Sequence, residues 1–187
     1  MPSRIRVDVT KKQNAIHPLR QSDAVTMATF AQMVNILAPI FTNEHGSFLQ
    51  TIYHPLKLYR EHSRNWKLSC ETESAMLTDG EGKPSAVPCL DVSATYHDGR
   101  EEIVLAVVNR DPSRPAKAVV SFTGADVPEI AEAIELTCPS WETVNGFGLD
   151  DQVTCSVKTD ARYDADGGYV FPPRSITLLK HRSAIRD

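Results

Sequence analysis

The chain has 187 residues, a net charge of −4 and a pI near 5.9, with 41% apolar and 24% charged residues. That balance suits a folded globular protein and excludes a general electrostatic bias toward nucleic acid. The longest apolar run falls short of the roughly 18 residues of a membrane-crossing helix. The basic N-terminal stretch also lacks the apolar region of a secretory signal, so a cytoplasmic protein without nucleic-acid or membrane partners is expected.

In chain order, residues 1–15 show no sustained periodicity and are expected to be a disordered lead-in. A helix is signalled from Ser22, a suitable N-cap, followed by Asp23 at the positive end of the helix dipole. Val25, Met27, Ala28, Phe30, Ala31, Met33 and Val34 supply its apolar face. Pro39 forbids a regular helix through 37–41, which is expected as a short buried strand. Residues 42–46 are polar and turn-forming. Pro55 then suits the first turn of a second helix ending near His62. This helix–strand–helix order, over 16–66, is a piece of a (β/α)8 barrel.

Residues 67–86 read as a polar connector containing Gly80, Gly82 and Pro84. Beyond Val87 the hydrophobic period changes to two. Strands are expected at 90–96, 102–110, 118–122, 130–137, 153–158 and 175–180, with an Asp-Gly turn at 97–100. The expected fold is mainly β: an antiparallel β-sandwich over 87–182, preceded by the barrel remnant and followed by a tail at 183–187.

Few residues carry recognisable chemistry. Asn43-Glu44 resembles the dipeptide bearing the general acid in barrel glycosidases, but its neighbours form an ordinary solvated turn. Glycoside hydrolysis also needs a second carboxylate, and Glu61 and Glu71 fall in a helix tail and the connector. Gln50 follows the expected strand, on the face where barrels place functional residues, and its amide can both donate to and accept from sugar hydroxyls. Spacing alone leaves a surface glutamine as the alternative. The six histidines lack zinc-site spacing, and His54 reads as a helix-entry residue. Cys70, Cys89, Cys138 and Cys155 form no CxxC pair and are expected to be structural free thiols. Trp66 and Trp141 are expected to pack between the two modules.

Several segments in order, DAVTMATFAQMVNILAPIFT, QTIYHP, VPCLDVSATY, IVLAVVNR and FPPRSITLL, resemble the C-terminal part of the intracellular α-L-arabinofuranosidases of glycoside hydrolase family 51. The resemblance covers about residues 16–182. It implies a catalytic (β/α)8 barrel joined to a β-sandwich, and removal of terminal non-reducing arabinofuranosyl units with retention, within L-arabinose metabolism. It implies no metal or organic cofactor and frequent oligomerisation. Gln50 matches the glutamine that hydrogen-bonds the arabinofuranose.

The departure from the pattern is large. The family's two catalytic glutamates lie upstream of Asp23 and have no counterpart here, so no residue of this chain is assigned a catalytic role. A truncated or frame-shifted reading frame, or a C-terminal fragment inactive alone, is the expectation; a non-catalytic carbohydrate-binding or oligomerisation sandwich is the alternative. The expected partners are arabinofuranosyl oligosaccharides if the barrel is completed, and either the missing barrel portion or further copies of the chain.

Overall fold

A computed structural model describes residues 3–14, 32–79, 81–126 and 128–182. Among these, the elements in chain order begin with strand β1 (Ser3–Asn14), the hairpin β2 (Ile40–Asn43) and β3 (Gly46–Leu49), and helix α1 (Tyr53–His62). Then come β4 (Trp66–Glu73), a small ribbon of β5 (Met76–Thr78) and β6 (Pro84–Pro88), β7 (Leu90–His97) and β8 (Glu102–Asn109). The chain closes with β9 (Ala116–Thr123), β10 (Ile130–Thr137), β11 (Cys155–Lys158), β12 (Gly168–Phe171) and β13 (Ser175–Arg182).

Nine strands form one sheet in the order β11-β10-β13-β8-β7-β4-β1-β9-β12. Every pairing in it is antiparallel except β1 with β9, where Ser3 aligns with Ala118 and Asp8 with Thr123. Ile5 and Val7 of β1, Phe171 of β12 and Val120 of β9 share one apolar cluster with Leu105 of β8, Ala133 of β10 and Leu179 of β13. Those strands sit toward opposite ends of the sheet order, so the sheet curls until its two inner faces meet as a β-sandwich. Alternation places the complementary set outside. Val104, Ala106, Ile134, Leu136 and Leu178 form a second cluster on the outer face, and α1 seals it with Leu58. This double burial explains why 102–110 reads as a continuous apolar run.

α1 is anchored at its exit. The Arg64 backbone N–H donates to Thr95 Oγ1 at 3.0 Å, and its guanidinium pairs with Glu102 at the start of β8. Pro55 stands in the first turn, as its missing N–H and fixed φ favour.

Several expectations are corrected. Residues 3–14 are an interior strand rather than a disordered lead-in, because Ile5, Val7 and Val9 alternate with polar residues and are fully buried. The charged residues between them hide that period of two. The expected strand at 37–41 is displaced: Leu37 is 78% exposed, and pairing starts at Ile40. Residues 67–86 are no connector, since β4 lies between β1 and β7 in the main sheet. The sheet therefore draws on residues from both sides of the expected boundary near 85–87. Gly168–Phe171, absent from the expected strands, form strand β12. Trp66 does pack on the core, with its indole N–H donating to Asp98 at 3.2 Å, but Trp141 is 66% exposed. The expected helix from Ser22 falls mostly on 15–31, outside the described residues, as does the tail at 183–187.

Candidate functional site

Gln50 lies between β3 and α1, and its position is set by its backbone. Its N–H donates to the Pro39 carbonyl at 2.8 Å, and its own carbonyl accepts from Tyr53 N–H at 2.9 Å. Pro39 and Ala38 are buried, which gives the first of these bonds a fixed base. The preceding hairpin is closed by Asn43, whose Oδ1 accepts from the backbone N–H groups of His45 (2.8 Å) and Gly46 (3.1 Å). Asx turns of this kind stabilise tight connections. Glu44 is spent in that exposed turn, 3.5 Å from His45, so Asn43-Glu44 is structural.

Beside Gln50 opens a groove of about 650 Å³ between α1, β10, β11 and the long β10–β11 loop. Leu49 and Tyr53, on either side of Gln50, belong to its wall, with His54, Glu61, Glu132 and Asp151. Glu132 is held by Lys180 at 2.6 Å and Glu61 approaches Lys57 at 3.9 Å, so both lining glutamates face ammonium groups. Retaining hydrolysis needs two carboxyl groups about 5 Å apart, one as nucleophile and one as acid. In the groove Glu61 and Glu132 are engaged in charge pairs, and Asp150 and Asp151 of the β10–β11 loop also line it.

His54 opens α1, as its helix-entry reading expected, and points into the fold. Its Nε2 lies 3.3 Å from Asn145 Nδ2. Burial lowers its pKa below the usual histidine value and the Lys57 charge adds to this, while Asp151 opposes it. Burial likewise depresses His62, reinforced by Lys180 and Arg64. Both rings are thereby biased to neutrality near pH 7. Burial raises the thiols of Cys89 and Cys155, which suits packing rather than nucleophilic chemistry. All four cysteines are free, and no cluster of three or more metal-ligating side chains occurs among the described residues. Nor is any described helix long and apolar enough to cross a membrane.

Sequence reasoning missed Asn145. It is 4% exposed and contacts both the β3–α1 junction and its own loop. An asparagine in a stretch rich in glycine and aspartate carries no signal of burial.

Known proteins share this architecture. Residues 14–175 match the family described as the α-L-arabinofuranosidase C-terminal domain. Among curated relatives, the probable α-L-arabinofuranosidase C of Aspergillus clavatus is 30% identical over 172 residues, covering 88% of this chain and 32% of the relative. The α-L-arabinofuranosidase C of Emericella nidulans is 31% identical over 180 residues with the same coverage. Among solved structures, the family 51 arabinofuranosidase of Xanthomonas axonopodis pv. citri superposes with a TM-score of 0.75 at 28% identity, over 87% of this chain and 32% of that one. The arabinose complex of the Thermotoga maritima α-L-arabinofuranosidase shares the fold, with a TM-score of 0.76 at 24% identity, over 88% of this chain and 35% of that one. The chain thus spans about a third of the length of the relatives it matches. Its matched span, its curled nine-stranded sandwich and its flanking helix together make it a member of the α-L-arabinofuranosidase C-terminal domain family.

Proposed function

We propose that this chain is the scaffold and sugar-holding portion of a retaining α-L-arabinofuranosidase, and that it does not hydrolyse glycosides alone. In this reading Gln50 hydrogen-bonds a terminal arabinofuranosyl unit, and polypeptide outside this chain supplies the nucleophile and the acid/base carboxyl. The observation that carries it is coverage: the family domain matches 14–175, yet the chain spans only 32% of its relatives. The rigid placement of Gln50 beside an open groove supports its role. A cytoplasmic location agrees with the name of a Bifidobacterium longum relative, an intracellular exo-α-(1→5)-L-arabinofuranosidase 31% identical over 108 residues.

The experiment incubates the pure chain with 4-nitrophenyl α-L-arabinofuranoside and, separately, titrates it calorimetrically with arabino-oligosaccharides. No nitrophenol is expected, and any binding heat should vanish in Gln50→Ala. Turnover by the isolated chain overturns the non-catalytic reading; heats unchanged by Gln50→Ala overturn the role of Gln50.

An oligomerisation role is favoured by a separate observation. Ile36, Leu37, Trp141, Val144 and Leu149 are each more than half exposed. Apolar exposure of this kind marks association surfaces. The missing barrel portion or a second copy of the chain would cover them.

A further inference from the structure

The long loop between β10 and β11 is internally braced. Ser140 N–H donates to Thr143 Oγ1 at 3.2 Å, and Gly146 and Leu149 exchange backbone hydrogen bonds of 3.2 and 2.9 Å. At its centre Asn145 turns inward. Its Oδ1 accepts from Val153 N–H at 2.7 Å, and its Nδ2 donates to the Val153 carbonyl at 2.9 Å, closing the loop on itself. The other Nδ2 hydrogen faces outward from the loop, to the Leu49 carbonyl at 3.0 Å. A primary amide has two N–H donors, so these two carbonyls use both. The nearby His54 Nε2 lies 3.3 Å from the same Nδ2, with no third N–H left to be donated to it. Phe147, two residues on, sets its ring edge against Phe48 at a centroid distance of 4.8 Å.

The residues touched are Phe48, Leu49 and His54. They bracket Gln50, whose own N–H and carbonyl are tied to Pro39 and Tyr53. One buried amide of the β10–β11 loop therefore holds the Leu49 shoulder of the turn that presents Gln50 and lies against its His54 shoulder. We propose that Asn145 is a positioning residue for Gln50, coupling the β-sheet body to the substrate-holding turn. The sugar contact at Gln50 rests on the function proposed above, whereas the coupling itself does not.

Asn109 provides an internal control. Its Nδ2 also lies near carbonyl oxygens, those of Arg114, Phe171 and Pro172, but all of them belong to the sandwich. Its loss should weaken the body without singling out Gln50.

The test is amide hydrogen exchange by NMR on the full chain, comparing Gln50 and Tyr53 with Leu105 in the central strand. Asn145→Ala should speed exchange at Gln50 and Tyr53 by roughly tenfold or more while Leu105 changes little, since a lost buried hydrogen bond opens the segment it held. Asn145→Asp keeps the volume and the acceptor for Val153 but loses both donors. It should act the same way, and it decides the matter if the alanine variant does not fold. Asn109→Ala should move all three amides together. Exchange at Gln50 and Leu105 changing in step in the Asn145 variants overturns the proposal. Arabinose titration of the Gln50 side-chain resonances is a separate arm. No shift in the native chain would remove the sugar contact, while the coupling read from the exchange rates would stand.

Discussion

Tyr163 Oη and His181 Nε2 lie 2.8 Å apart inside the sandwich, their rings stacked at an interplanar angle of 8°. Phe122 meets the same imidazole edge-on at 5.3 Å, and His181 has no exposed surface. Burial drives the His181 pKa down to about 4, against a small opposing pull from the Ile103 backbone. Burial also pushes the Tyr163 phenol well above its usual value, so both partners are neutral near pH 7.

Acid destabilisation follows, with a definite sign. The unfolded chain takes up a proton at His181 near pH 6.5, whereas the folded chain resists until about pH 4. Stability from this group is therefore complete above pH 6.5 and is lost as pH falls toward 4, up to about 3 kcal/mol. Urea midpoints measured from pH 7.5 to pH 4.5 should show this decline, and His181→Phe should flatten it. An identical acid limb in the variant would refute His181 as its source.

Loss of β1 should be severe. Ile5 is fully buried between β4 and β9, so Ile5→Ala should cost about 2–5 kcal/mol through lost burial and the cavity left behind. Removing residues 3–14 leaves β4 and β9 without the strand that joins them. Thermal denaturation of that shortened chain should show no cooperative transition.

The hairpin is held by rings rather than by a long ladder. Phe41 stacks on Phe48 at 5.4 Å, and Phe147 closes the trio from the side. Phe147→Ala should remove about 1 kcal/mol from this contact. Because Phe147 is itself 46% exposed, most of the effect should appear as faster local exchange at 46–50 and little in the global melting temperature.

The apolar side chains near the hairpin and the β10–β11 loop should promote self-association. Sedimentation at rising concentration should reveal oligomers, and Leu37→Lys combined with Trp141→Lys should return the chain toward monomer. A double variant that associates as strongly as the native chain would place the contact elsewhere.

Much of the sandwich is legible in the sequence because one-sided or two-sided burial leaves a clear mark on composition. The strand at 130–137 reads directly from its apolar positions, and β8 from a run buried on both faces. α1 is legible through Pro55. Two hidden strands of the main sheet, β1 and β4, share a different trait: their outward positions are strongly charged. Arg4, Arg6 and Asp8 in β1, and Lys67, Glu71 and Glu73 in β4, dilute the alternation until only the paired partner makes it visible. Gln50 can be picked out by its place after a strand, but its supports cannot. Pro39 and Tyr53 bond it through backbone groups, and Asn145 bonds the neighbouring Leu49 carbonyl, none of which a residue type announces.

The parallel pairing of β1 with β9 bears on how the molecule is made. During synthesis Ile5, Val7 and Val9 leave the ribosome long before one of their neighbouring strands, since Ser3 pairs with Ala118 far later in the chain. Closing so long a loop delays nucleation and leaves an apolar strand waiting while the polypeptide grows. Slow refolding and dependence on chaperones in the cell are the expected signature of that sequence-distant seam.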